Sequence, residues 1–243
     1  MEWVQGLRQV LRNPNLDPAF KELVLTLPSE TFIAEQLDQV DPQRIHQVRE
    51  RMRHQLAHDL QEIEAQSGWT QGALRILPLV ETCLGLRNTY DLGRASERVC
   101  GMSLASAEQG DFMVDLGGRW TPSSMALAYP RSKMVVDARA AGLPWLVDGV
   151  FMNLKDTQAL RTECLLAREL GFVGKMAIHP TQVEVMHEVF SPSEEEIRHA
   201  RGLLQAFRAA EAQGIGAVRY EGMMVDYANV RLAERTLSLV QDL

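Results

Sequence analysis

Apolar residues along the chain fall into two different rhythms. In residues 41–66, DPQRIHQVRERMRHQLAHDLQEIEAQ, the positions Ile45, Val48, Met52, Leu56, Leu60 and Ile63 recur at steps of three and four. That spacing predicts one face of an amphipathic helix. Asp41-Pro42 supplies a cap followed by proline at the first helical position. Ser29, in PSETFIAEQLD, is placed to cap a shorter helix before it. No strand-like alternation occurs up to residue 66, so residues 1–66 are expected to be all-helical.

Near SGWTQG, Ser67 to Gly72, the rhythm changes. Short apolar runs begin near residues 74 (LRILPLV), 101 (GMSLA), 143 (LPWLV) and 174 (GKMAI). Between them lie the helical stretches GLRNTYDLGRAS, SMALAYPRSKMVVDARAAG and DTQALRTECLLARELG. Alternation of this kind predicts βαβ units and a parallel sheet. Gly142 and Gly171 stand where helices should stop, and Asp156 where one should start. Ser193 and Glu196 form a capping-box pattern ahead of a further helix. The tail, from Val218, reads as a short hairpin and a last helix over Ala228 to Leu239. The expected fold is α/β: a partial (β/α) TIM-type barrel of about four βα units over 67–243, preceded by the helical segment 1–66. A full eight-unit barrel takes about 250 residues. Two open sheet edges would result, to be covered by the N-terminal helices or by a second copy of the chain.

Composition narrows the function classes. With 243 residues and 46% apolar content the chain can bury a core, and its net charge of -7 argues against nucleic acid or an anionic membrane as partner. No run reaches the roughly 18 apolar residues of a membrane span, and the start lacks the apolar region of a signal peptide. Cys83, Cys100 and Cys164 have no zinc spacing and an odd count. These features place the chain in a reducing compartment, the cytoplasm.

In a parallel α/β fold, chemistry collects at the carboxyl ends of the strands. Glu81 directly follows the first apolar run, and Asp111 follows the second. Two such carboxylates can share a hard cation such as Mg²⁺; alternatively they cap the helices that follow. Asp148 ends the third run as a turn-former or supporting group. Asp115 is placed to accept loop amides. Lys175 precedes the strand MAI, where a surface salt bridge is expected, and His179-Pro180 follows it as a strand-exit corner. His54 and His58 share a helix face, read as solvated.

The blocks LPLVETCLG (77–85), DFMVDLG (111–117), PRSKMVVDARAAGLPWLVDGVFMNLKD (130–156) and GFVGKMAIHPTQ (171–182) resemble the citrate lyase beta-subunit-like branch of the HpcH/HpaI aldolase family. The tail GAVRYEGMMVDYANVRLAERTL resembles the end of those proteins. The likeness covers about 73–238 and looks like strands five to eight of their barrel. It implies a Mg²⁺-dependent carbon–carbon lyase acting on a β-hydroxyacyl thioester, usually of CoA, and a homo-oligomer. It implies Glu81 and Asp111 as metal ligands. The family's G-x-E-D turn is longer here (ASAEQGDF), which makes Glu108 a rival or additional ligand. Asp226 is implied as an acid or base completing a neighbouring subunit's site, or else as a helix cap. Arg131, Asp148 and His179 fall in substrate-side segments; for Arg131 a surface salt bridge is the alternative. The family's substrate-gripping arginine has no counterpart, so a chain that keeps the metal corner without turnover is the alternative function. Residues 13–60 resemble a helical segment of bacterial aminopeptidase N, without its H-E-x-x-H zinc motif.

Overall fold

The computed structural model describes residues 56 and 58–241. The caps and helices expected before residue 56 lie outside the described residues. The chain divides into two compact units, Met1–Val183 and Glu184–Leu243.

In the first unit the described part opens with helical residues 58–67, here α1. The helix stops where the apolar rhythm changes. Gly68 takes φ +68°, and Trp69 N–H reaches back to the Glu64 carbonyl at 2.9 Å. That six-to-one bond is the Schellman arrangement, which uses glycine because its left-handed backbone costs other residues more.

Four parallel strands follow: β1 (Leu79–Val80), β2 (Gly101–Leu104), β3 (Trp145–Asp148) and β4 (Gly174–Lys175), in the spatial order 1-2-3-4. The helices after them are α2 (Cys83–Arg87), α3 (Thr89–Gly93), α4 (Asp111–Leu116), α5 (Met125–Ala140) and α6 (Thr157–Leu170). These are the expected four βα units of a TIM-type barrel. Every residue of β2 is buried, as a central parallel strand covered on both faces requires. Leu74, Leu104, Leu146, Phe112, Leu127, Met134 and Leu160 make the core between sheet and helices. Gly101 is needed in β2 because a Cβ there would run into the Trp145 carbonyl.

The first strand is shorter than its apolar run. Ile76 forms only an isolated bridge with Val99, and the ladder resumes at Leu79. Pro78 explains the gap: its carbonyl accepts from Ser103 N–H at 2.9 Å, but it has no N–H to give. The fourth strand also ends early, at Lys175. Helix α4 went unread in the sequence because only six residues form it, too few for a periodic pattern.

The second unit contains most of α7 (Val183–Phe190), then α8 (Glu194–Glu211), the antiparallel hairpin β5 (Val218–Tyr220) and β6 (Met223–Val225), and α9 (Tyr227–Gln241). The Ser193–Glu196 capping box is formed in both directions. Leu203, Leu204, Phe207, Val225 and Ala233 pack as its core.

Candidate functional site

Glu81 leaves β1 at its carboxyl end, half-buried, and Thr82 starts α2 by accepting Gly85 N–H at 2.9 Å. The next amide, Cys83 N–H, donates to Asp115 Oδ2 at 2.6 Å. Asp115 therefore accepts a backbone amide, as its position suggested. The bond ties α4 to the exit of β1. Asp111 lies one turn earlier on the same face of α4, since residues four apart are helix neighbours. Burial and then the nearby charge of Asp111 push the Glu81 carboxyl above its ordinary pKa. These two carboxylates thus interact; both offer hard oxygen donors of the kind Mg²⁺ takes.

Glu108 is exposed and lies elsewhere. It lines a cavity of about 480 Å³ with Trp120, Phe151, Met152, Asn153 and Asp156. Among the described residues, no lysine, arginine or histidine lines that cavity. Glu81, Asp111 and Glu108 do not converge as one three-residue set. Among the described residues, the set with all its ligand atoms within 4.8 Å is His58, Asp59 and Glu62 on α1. His58 is 64% exposed there, pairing loosely with Glu62, as a solvated helix face would have it; His54 lies outside the described residues.

The exits of β2 and β3 hold a buried ionic cluster. Asp148 is fully buried. It accepts from Arg131 Nε at 3.0 Å and Nη2 at 2.8 Å, from Lys175 Nζ at 2.7 Å and from Ser106 Oγ at 2.8 Å. Glu163 of α6 takes Arg131 Nη2 at 2.9 Å and stands 3.3 Å from Lys175. The two acids and two bases balance. Burial alone would raise the Asp148 pKa, but Lys175 and Arg131 outweigh it and hold the carboxylate ionised.

Three expectations need correction here. Arg131 is neither a substrate-side residue nor a surface one: its side chain has no exposure and both neighbouring carboxylates occupy it. Asp148 is likewise sealed among its partners, which fits the supporting role read for it and not the substrate-side one. Lys175 is salt-bridged as expected, but in the core rather than on the surface, because it sits inside β4 opposite Asp148. A lysine within the apolar run GKMAI was the available signal.

His179 is exposed and caps the 3-10 turn Pro180–Gln182. Its Nδ1 accepts from Thr181 N–H at 3.3 Å. This is the strand-exit corner. Gln182, buried, completes the corner by donating to the Phe151 carbonyl at 2.7 Å. In the second unit, Asp226 caps α9: its Oδ1 accepts from Ala228 and Asn229 amides at 2.8 and 3.4 Å.

Comparison with known proteins follows the same division. Residues 132–241 match the family model described as C–C bond lyase of the TIM-barrel fold. Residues 1–67 match a domain of unknown function, DUF3458_C, described as ARM repeats; the aminopeptidase N likeness goes no further than that. The chain is 34% identical over 188 residues to citrate lyase subunit beta of Leuconostoc mesenteroides, covering 77% of this chain and 61% of that one. It is 38% identical over 160 residues to a (3S)-malyl-CoA thioesterase of Cereibacter sphaeroides, covering 66% and 54%. Among solved structures it is similar to the CitE protein of Mycobacterium tuberculosis in complex with magnesium, acetoacetate and coenzyme A. That match has a TM-score of 0.56 at 26% identity, over 76% of this chain and 65% of that one. The chain thus spans less than two thirds of each of these three proteins. Residues 132–241 are thus similar to TIM-barrel C–C bond lyases, and the chain is similar in part to citrate lyase beta subunits.

Proposed function

We propose that this chain is a Mg²⁺-dependent carbon–carbon lyase acting on a β-hydroxyacyl thioester, with Glu81 and Asp111 holding the metal. The observation that carries the reading is the pair of carboxylates at the exits of β1 and β2: Asp115 ties α4 to the β1 exit through Cys83 N–H, and burial, then the nearby charge of Asp111, push the Glu81 carboxyl above its ordinary pKa. Like charges held together bind a divalent cation in place of a proton. The magnesium and coenzyme A named for the mycobacterial structure, and the thioester named for the malyl-CoA relative, agree with it. A bound Mg²⁺ would supply Lewis-acid polarisation of the substrate's oxygens.

The chain's own residues have distinct tasks in this reading. Asp115 fixes α4 through Cys83 N–H, so that Asp111 faces Glu81. The cavity beside Glu108 has a size suited to a small-molecule segment. Lacking basic groups, it suits the uncharged arm of a thioester rather than phosphates. Cleavage passes the hydroxyl proton to a carboxylate base as the C–C bond breaks. The bonding pair goes to the thioester enolate, and an oxo acid leaves. A carbon-bound proton then restores the shorter thioester. Asp226 is the proposed acid or base, acting within a homo-oligomer on a neighbouring copy. The exposed cap of a helix can release its amides when a better partner arrives.

A specific observation favours a second reading at the same site. The 38% identity to a thioesterase makes hydrolysis of the thioester the competing reaction. Incubation with (3S)-malyl-CoA and Mg²⁺ separates them. Lyase action yields an oxo acid and a shorter acyl-CoA; hydrolysis yields free thiol and the hydroxy acid. Either activity should fall at least a hundredfold in Glu81→Gln, the scale of losing a metal's charge stabilisation. Turnover equal in both proteins would remove Glu81 from the site.

A further inference from the structure

We infer that Ser106 is a positioning residue that sets the metal affinity of the Glu81–Asp111 pair; this rests on the metal reading above. Ser106 is buried and does two things with one hydroxyl. It donates to Asp148 Oδ1 at 2.8 Å and accepts from Gly149 N–H at 3.1 Å. Its partner cannot drift, because Arg131 and Lys175 clamp Asp148 from α5 and β4. The exit of β3 also presses on it from the other side. A Cβ at Gly149 would come within 2.5 Å of the Leu104 carbonyl and of Ser106 N. The residue before it is fixed too, since Ala105 N–H donates to the Val80 carbonyl at 2.9 Å, immediately ahead of Glu81.

Ser106 is therefore the last anchored residue before the loop that delivers Asp111. Beyond it, residues 107–110 are held by a local turn, Gly110 N–H to the Ala107 carbonyl at 3.1 Å. Then α4 begins, tied at its other end by Asp115 to Cys83. The ionic cluster touches no ligand itself. Its effect reaches the metal pair through this one hydroxyl and the short loop over 107–110, which carries any shift of Ser106 to Asp111.

The test is Mn²⁺ titration followed by EPR on the whole chain, with Mn²⁺ in place of Mg²⁺. Ser106→Ala is compared with wild type and with Glu64→Gln, which weakens the fold at the far side of the sheet and leaves this loop alone. The expected result is an affinity about tenfold lower in Ser106→Ala, with wild-type affinity in Glu64→Gln despite its lower melting temperature. An unchanged affinity in Ser106→Ala, or an equal loss in Glu64→Gln, overturns the inference. No Mn²⁺ binding by the wild type overturns the metal reading, and this inference falls with it.

Discussion

Asp148→Ala should lower the stability of the protein by about 3–5 kcal/mol, the cost of breaking a buried charge pair by removing one partner. The size follows from what remains. Arg131 and Lys175 would be left buried with Glu163 as their one nearby carboxylate in the cluster, and Ser106 would lose its acceptor. Among the described residues Arg131 Nη1 has no hydrogen-bond partner, so little slack exists to absorb a second loss. A drop of this size shifts the melting temperature by roughly 10 °C for a chain of this length. Asp148→Asn keeps the shape and an acceptor for Ser106, and should fall between the two. Thermal unfolding of both variants checks this. A change under about 1 kcal/mol for the alanine variant would mean that the four charges are individually solvated rather than interlocked.

The second large effect lies at the junction of α1 with the sheet. Glu64 is buried and accepts from Arg98 Nη1 at 2.7 Å and Nη2 at 2.9 Å. It also accepts from the amides of Gly72 at 2.9 Å and Leu74 at 2.8 Å. Burial by itself would raise its pKa, but Arg98 and the two amides more than offset that, and the pKa falls from 4.5 to about 2. A carboxylate whose folded pKa is depressed contributes stability that is complete above its unfolded pKa and is lost as pH falls through the folded one. Glu64→Gln should therefore cost about 3 kcal/mol at pH 7. The difference from wild type should shrink below about pH 4.5 and approach zero toward about pH 2. Urea unfolding at several pH values measures it. A deficit that stays constant from pH 7 to pH 3 would show that Glu64 contributes through shape alone.

Much of this was legible in the chain, for identifiable reasons. Parallel strands buried on both faces must be apolar runs, and amphipathic helices must repeat at three and four, so the four βα units followed from pattern. Gly171, Asp156 and the Ser193–Glu196 box could be read because caps are local chemistry. Helix α9 runs over Tyr227–Gln241, slightly beyond the expected 228–239, with Asp226 capping its start. What the sequence hid is non-local. Arg131, Asp148, Glu163 and Lys175 come from two helices and two strands, and apart from Lys175, set in an apolar run, each looks like an ordinary charge on its own segment. Their sum is neutral, and that is visible only once they share a volume. Glu64 and Arg98, separated by 34 positions, hid for the same reason. Glu81 and Asp111 were found from their places at strand exits. That Glu108 faces the neighbouring cavity instead depends on the course of the loop over 105–110, which no periodicity encodes.

The central claim is that Glu81 and Asp111 form one divalent-cation site. Mn²⁺ binding by EPR on wild type, Glu81→Gln and Asp111→Asn tests it most directly. The account predicts one equivalent bound by the wild type, weakening as pH falls through the raised range of the Glu81 carboxyl, because proton and metal compete for it. It predicts binding abolished in either variant. Binding that survives both substitutions would place the metal elsewhere, with His58, Asp59 and Glu62 the next set to examine. No binding by the wild type at millimolar Mn²⁺ would contradict the claim outright.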